Sequence, residues 1–279
     1  PLGVLGRTGR LTHEQDRRRQ RAARLDDLCP AVDEPWTPLA GADGPISVQR
    51  PHTRTASGSA ITPPVPDGYP SRRRWCGMQV HNLTADVEQF TANAYLLVTE
   101  TPLLIDVGVD DALVDRVTDH VDAIDAVLIT HQHRDHIAAL DAVVDAFDPA
   151  VYAYAPADRR TAALADGQTL PFDGVSLTAV HTPGHATDHL ALFTEQALFS
   201  GDLVVCNDGA FDDGSFGRTD GPGQDRATLI ASIETLLAQL PPTVAAMYPG
   251  HGDSLPEGGV RDTIDRALTR AKRFEPKYP

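Results

Sequence analysis

The heptapeptide Thr130-His131-Gln132-His133-Arg134-Asp135-His136 follows directly on the apolar run Ala126-Val127-Leu128-Ile129, and it constrains this chain more than any other feature. His131, His133, Asp135 and His136 place four metal-ligating side chains within six residues. In an extended segment residues two apart project to the same side, so His131 and His133 face one point. Asp135 and His136 begin the turn into the next helix and face a neighbouring point. One segment can thus serve two metals. Neutral imidazole and carboxylate suit zinc, iron or manganese, and a bimetallic pair draws ligands from several loops. Those loops are present: Thr182-Pro183-Gly184-His185, Ser200-Gly201-Asp202 and Pro249-Gly250-His251-Gly252 each follow an apolar run, with small residues that let the backbone turn toward a common centre. A lone histidine is more often a surface or satisfied core residue. Chance does not readily supply the block together with three further strand-end His and Asp residues in this order.

Short runs rich in β-branched residues alternate with helical patterns, which predicts an α/β layered fold. Strands are expected at 94–98, 103–107, 126–130, 150–154, 175–180, 189–193, 197–200 and 243–247. Ile137, Leu140, Val143, Val144 and Phe147 keep one helical face before Pro149. Leu229, Ile230, Ile233, Leu236, Leu237 and Leu240 do the same before Pro241-Pro242. Further helices are expected over 110–121 and 259–274, and no internal repeat is visible.

The charge is unevenly distributed. Of a net −15, residues 1–77 hold 12 Arg against 8 acids (+4), leaving 12 basic against 31 acidic residues (−19) over 78–279. The leader combines Arg17, Arg18, Arg19 and Arg21 with Thr62-Pro63-Pro64-Val65-Pro66 and lacks apolar periodicity, so disorder is expected. Met78 is the first methionine, which leaves two readings: upstream sequence translated from a mis-set start, or a genuine basic tail. The domain itself spans 78–279. The chain has 31 Asp against 8 Glu and only two Lys, Lys272 and Lys277, a balance resembling proteins of high-salt cytoplasms such as those of halophilic archaea. Genomic GC content offers a partial alternative. Cys29, Cys76 and Cys206 form no CxxC and cannot all pair, so a reducing compartment and a cytoplasmic location are expected, with Cys206 a small buried hydrophobe. No run reaches the roughly 18 apolar residues of a membrane span. Asn82-Leu83-Thr84 fits a glycosylation sequon, though nothing indicates secretion.

Over 78–279 the chain resembles the metallo-β-lactamase superfamily, through Asp106 in Leu103-Leu104-Ile105-Asp106-Val107-Gly108, the His131/His133/Asp135/His136 block, His185, Asp202 and His251. The resemblance implies an αββα four-layer sandwich with the site along one edge of its two sheets. It also implies two Zn2+ ions, iron or manganese being alternatives. His131, His133 and His185 would hold the first metal, Asp135, His136 and His251 the second, and Asp202 would bridge both. Asp106 is then expected to orient the ligand loop, or as a lone strand-end Asp to act as a cap. His189 and His181 flank His185 and could hydrogen-bond ligands or simply pack. Two metals sharing a water lower its pKa from about 15.7 toward neutrality, which implies hydrolysis of an electrophilic carbonyl with Asp135 accepting or relaying a proton.

The segment 214–225, Gly-Ser-Phe-Gly-Arg-Thr-Asp-Gly-Pro-Gly-Gln-Asp, resembles the GRTD-x-PGGD loop of glyoxalase II-like hydrolases and of persulfide dioxygenases, with Gln224 in place of the second glycine. That makes Arg218 a candidate for substrate contact, a salt bridge with a nearby Asp being the alternative. Hydroxyacylglutathione hydrolases carry a helical extension that grips glutathione, whereas 27 residues (253–279) follow the Pro-Gly-His-Gly motif here, so the thiol carrier stays open. The expected activity is hydrolysis of a small-molecule thioester, an acyl-thiol. The competing readings are a persulfide dioxygenase with one iron at His131, His185 and Asp202, and a lactone or β-lactam hydrolase. A nucleic-acid partner is disfavoured because a domain at −19 repels phosphate.

Overall fold

The computed structural model describes residues 78–275; the expected disordered leader and the question of its start, with Cys29 and Cys76, lie outside the described residues. The central strands are buried on both faces, which is why they read as apolar runs rather than alternations. The first sheet contains β1 (Gln79–Asn82), β2 (Tyr95–Val98), β3 (Leu103–Ile105), β4 (Ala126–Leu128), β5 (Ala150–Ala153) and β6 (Ala162–Ala163), in spatial order β1-β2-β3-β4-β5-β6. Its register aligns Leu96, Leu104, Val127 and Val151 in one row, and Tyr95, Ile105, Leu128 and Tyr152 in the next. The first row packs with Leu113 and Val117 of helix α1 (Leu113–Thr118) and with Leu140 and Val143 of α3 (Leu140–Phe147). The alternate row faces inward, where Tyr95 meets Phe199 and Tyr248 at ring-centroid distances of 5.9 and 5.3 Å.

The second sheet contains β7 (Thr169–Phe172), β8 (Val175–His181), β9 (Leu190–Phe193), β10 (Ala197–Gly201) and β13 (Ala246–Pro249), in order β13-β10-β9-β8-β7. Its outer row, including Val180, Ala191 and Leu198, packs with Leu229, Ile233 and Leu236 of α4 (Arg226–Gln239) and with Ile264, Ala267 and Ala271 of α5 (Val260–Lys272). A short ribbon of β11 (Val204–Val205) and β12 (Ser215–Phe216) flanks it. The layers therefore run helix, sheet, sheet, helix, as expected for the αββα sandwich.

Strands β1, β6, β7, β11 and β12 lie outside the expected set, and two of the expected elements differ by more than their end residues. The helix expected from residue 137 is split into α2 (Arg134–Ile137) and α3, because the His136 carbonyl accepts from Val107 and Gly108 N–H (2.9 and 3.2 Å) instead of continuing the helical ladder. The last strand is Ala246–Pro249 rather than 243–247. Val244 N–H returns to Pro241 O at 3.2 Å in a turn, and pairing with β10 starts at Ala246. Among the described residues no helix is long and apolar enough to cross a membrane.

Candidate metal centre

The ends of β4, β8, β10 and β13 bring all seven expected ligands together. Nδ1 of His133 lies 3.0 Å from His131 Nε2 and 2.9 Å from His185 Nε2, so three imidazoles converge on one point. Beside them Asp135 Oδ2 is 3.0 Å from His251 Nε2 and 4.0 Å from His136 Nε2. Asp202 lies between the groups: Oδ1 is 3.4 Å from His136 Nε2, and Oδ2 is 3.3 and 3.5 Å from His185 and His251 Nε2.

These residues fit a divalent metal. The buried His136 Nε2 and Asp202 Oδ1 attract each other at 3.4 Å without closing a hydrogen bond, and neither atom has a hydrogen-bond partner among the described residues. An unmade bond of this kind costs about 1–3 kcal/mol per group, a cost that a shared cation removes. Charge state favours the same use. Burial pushes the pKa of His131 and His185 down and keeps them neutral donors. Burial would raise the carboxyl of Asp202, but His251, His136 and His185 outweigh it and hold it well below the usual range. Asp135 likewise lies low despite burial, through its hydrogen bond from His251 and the field of His136. His136 differs: burial opposes its charge, yet the Asp106 and Asp202 carboxylates hold its pKa well above the ordinary value.

The far side of the ring is tied down for three of these histidines, which fixes its tautomer and orientation. His131 Nδ1 meets Thr130 Oγ1 at 3.1 Å, His136 Nδ1 meets Asp106 Oδ2 at 2.7 Å, and His185 Nδ1 donates to Arg218 O at 2.9 Å. Asp106 is 2% exposed and does more than cap a strand: its Oδ1 accepts from Thr130 N–H (2.8 Å) and its Oδ2 from Thr130 Oγ1 (2.7 Å) as well as from His136. It adopts a left-handed φ of 55°, held by those bonds.

His189 is fully buried and packs beside the His131 ring, centroids 5.1 Å apart, but its hydrogen bond goes to backbone: its Nε2 accepts from Asp202 N–H at 2.9 Å. Nδ1 therefore carries the proton and donates to Thr182 Oγ1 at 2.8 Å, and burial lowers the pKa to about 3. Close approach dictates two glycines. A Cβ on Gly201 (φ 49°) would sit 2.5 Å from His189 Nε2, and one on Gly250 would collide with Asp202 Oδ1.

Other expected residues lie apart from the cluster. His181 stacks on Tyr154 (centroids 4.0 Å) and meets Thr187 O at 2.8 Å. The Arg218 guanidinium is exposed and grips Asp220 bidentately at 3.0 and 2.9 Å, so it is the residue's carbonyl that touches the cluster, at His185. Cys206 is buried and free.

The sequence reading missed three residues. Thr182 supports His189. Phe90, 76% exposed, stacks on His251 with centroids 5.2 Å apart and an interplanar angle of 15°. Asn93 bonds across to the loop of His251. Asn93 stands immediately before an apolar run, as several residues of the cluster stand after theirs, and that position was the available signal. An isolated loop phenylalanine gives none.

Residues 87–251 match the sequence profile of the metallo-β-lactamase superfamily. The chain is similar to Thioesterase pkgB of Emericella nidulans, 38% identical over 195 residues, covering 66% of this chain and 52% of that protein. It is similar also to an atrochrysone carboxyl ACP thioesterase of Aspergillus fumigatus, 31% identical over 196 residues, covering 65% and 58%. The chain thus spans about half the length of these curated relatives. Among solved structures, that of the BLEG-1 B3 metallo-β-lactamase superposes with a TM-score of 0.54 at 27% identity, covering 66% of this chain and 95% of that one.

Proposed function

The chain belongs to the metallo-β-lactamase superfamily, and from that membership we propose that it is a dinuclear zinc hydrolase of thioesters, acting on a small-molecule acyl-thiol in the manner of glyoxalase II-like enzymes. The observation that carries the proposal is Asp202, whose two oxygens reach between the His131/His133/His185 group and the Asp135/His136/His251 group. A pair of divalent cations held by these residues would supply an activated water at neutral pH and polarise a substrate carbonyl. Borderline imidazole and carboxylate donors suit zinc. Three rings stay oriented because Thr130, Asp106 and the Arg218 carbonyl hold their far nitrogens. Asp135, ionised at neutral pH and partly open to solvent, is the group in place to accept or relay a proton. The thioester specificity is supported by two relatives with thioesterase in their names.

The test is metal content of the purified full chain, followed by turnover of glutathione, coenzyme A and pantetheine thioesters, a lactone, a β-lactam and a persulfide. About two zinc ions per chain with thioester cleavage is the expected result. A single iron with oxygen uptake on the persulfide overturns the reading, as does preferential cleavage of the lactone or β-lactam. Asp202→Ala is expected to lose metal and activity together; a variant keeping both metals refutes the bridging role.

A further inference from the structure

The backbone carbonyls of Pro249, Gly250 and Gly252 lie at and beside His251, and one residue from the loop leading into β2 of the other sheet binds all three. Asn93 N–H donates to Gly250 O at 2.7 Å, while its side-chain Nδ2 donates to Pro249 O at 2.9 Å and to Gly252 O at 3.0 Å. Tyr95 adds a second donor to Pro249 O at 2.8 Å. The orientation of the Asn93 amide follows from a fixed donor further back. Thr84 N–H can only donate, and it donates to Asn82 Oδ1 at 3.0 Å. Asn82 must therefore present Nδ2 to Asn93 Oδ1, at 2.9 Å, which leaves Asn93 Nδ2 for the carbonyls. Asn82 and Thr84 are the polar residues of the sequon-like tripeptide, so that motif acts inside the fold.

His251, like His133, lacks a hydrogen bond to the far ring nitrogen among the described residues, whereas His131, His136 and His185 have one. The His251 ring stacks on Phe90 and meets His136 edge-on at 5.4 Å, contacts that hold no ring nitrogen, so its aim is set by its backbone. We infer that Asn93, oriented by Asn82, is a positioning residue for His251, holding its ring toward Asp135 and Asp202. The inference rests on the reading of the cluster as a two-metal centre. It predicts a selective effect: the group containing His251 depends on Asn93, whereas the His131/His133/His185 group does not.

The test is calorimetric zinc titration of the full chain, with Co2+ absorption of the second equivalent as a spectroscopic readout and His251→Ala as the reference for a lost second site. Asn93→Asp replaces the NH2 group that donates both bonds by a carboxylate oxygen facing two carbonyl oxygens. It is expected to weaken the second equivalent roughly 10- to 100-fold, leave the first unchanged, and shift the Co2+ bands as His251→Ala does. Asn82→Asp, which touches neither metal group, frees the Asn93 amide to turn. It is expected to weaken the second equivalent by roughly tenfold or less, and it carries the test if Asn93→Asp does not fold. Parallel weakening of both equivalents, or no change in either, overturns the inference alone. Fewer than two equivalents in the unaltered chain overturns the two-metal reading and this inference together.

Discussion

The buried carboxylate of Asp106 serves three donors, two on Thr130 and one on His136, so its removal strands all three at once. Asp106→Ala is therefore expected to lose about 3 kcal/mol of stability in urea melts and roughly 10- to 100-fold in zinc affinity. Unchanged affinity would mean that the ligand loop is held by its backbone alone. His136 makes a pH prediction. Its raised pKa means the metal-free protein keeps a proton on it at neutral pH, yet a metal needs Nε2 free. Zinc uptake at pH 7 should release about one proton, read from calorimetry in buffers of different ionisation enthalpy, and affinity should fall as pH falls through the raised value. For metal-free stability the signs are opposite for the two partners. The His136 contribution is complete below the ordinary histidine pKa and is lost as pH rises through its raised folded value. The Asp202 contribution is complete above the ordinary carboxylate pKa and is lost as pH falls through its depressed one, so the metal-free fold is held best between the two. Phe90 offers apolar surface beside His251 with little packing of its own. Phe90→Ala should raise KM several-fold for thioesters with apolar acyl groups while melting temperature stays put; an unchanged KM across the panel removes Phe90 from the substrate's path.

At the scale of elements, α4 is what seats the His185 loop. Asp225 caps the helix by accepting from Thr228 N–H at 2.7 Å, and its own N–H donates to Gly184 O at 2.8 Å. One turn further on, Ser232 Oγ donates to Pro183 O at 2.6 Å. Gly184 (φ 129°) lies so close that a Cβ there would collide with the backbone of Leu229. Gly184→Ala must therefore push the helix from the loop, and we expect a loss of more than about 2 kcal/mol together with loss of metal at the His131/His133/His185 group. Ser232→Ala, which removes one hydrogen bond, should cost about 1 kcal/mol and spare the metal. Paired melts and zinc titrations check both; equal effects from the two variants would refute this account of α4. The same view explains what could be read from sequence. β2 to β5, β9 and β10 are covered on both sides, and their burial writes itself as apolar runs, after several of which the residues of the cluster stand. β1 and β7 are edges, the latter with Pro171 in a position only an edge tolerates, while β6, β11 and β12 are two residues each. Such strands are specified by the partner they pair with and leave no periodic trace. Asn93 escaped for a related reason: its role is to satisfy carbonyls far along the chain, which local pattern does not encode.

Over the whole molecule the sign of the salt response depends on which of two opposed effects is larger. Most cations of the described residues are paired: Arg116 with Asp110, Arg159 with Asp141 and Asp145, Arg218 with Asp220, Arg266 and Arg270 with Asp213, Lys272 with Glu234, and Arg273 with Glu275. Salt weakens such pairs, but exposed ones contribute only about 0–1 kcal/mol each. Against them stands the excess of acids over 78–279, 31 against 12 basic residues, most of whose repulsion has no partner to cancel it. Raising ionic strength from about 0.1 to 1 M shortens the screening length from about 10 to about 3 Å, which removes repulsion between all but adjacent charges. Repulsion should dominate, so the melting temperature of the full chain is expected to rise by about 5 °C or more over that range, equivalent to roughly 1–2 kcal/mol for a domain of this size. Potassium chloride is the proper titrant, since sulfate strengthens apolar burial in any protein. A flat or falling melting temperature would mean that the paired arginines outweigh the excess acids, and the Asp-rich composition would then reflect something other than adaptation to salt.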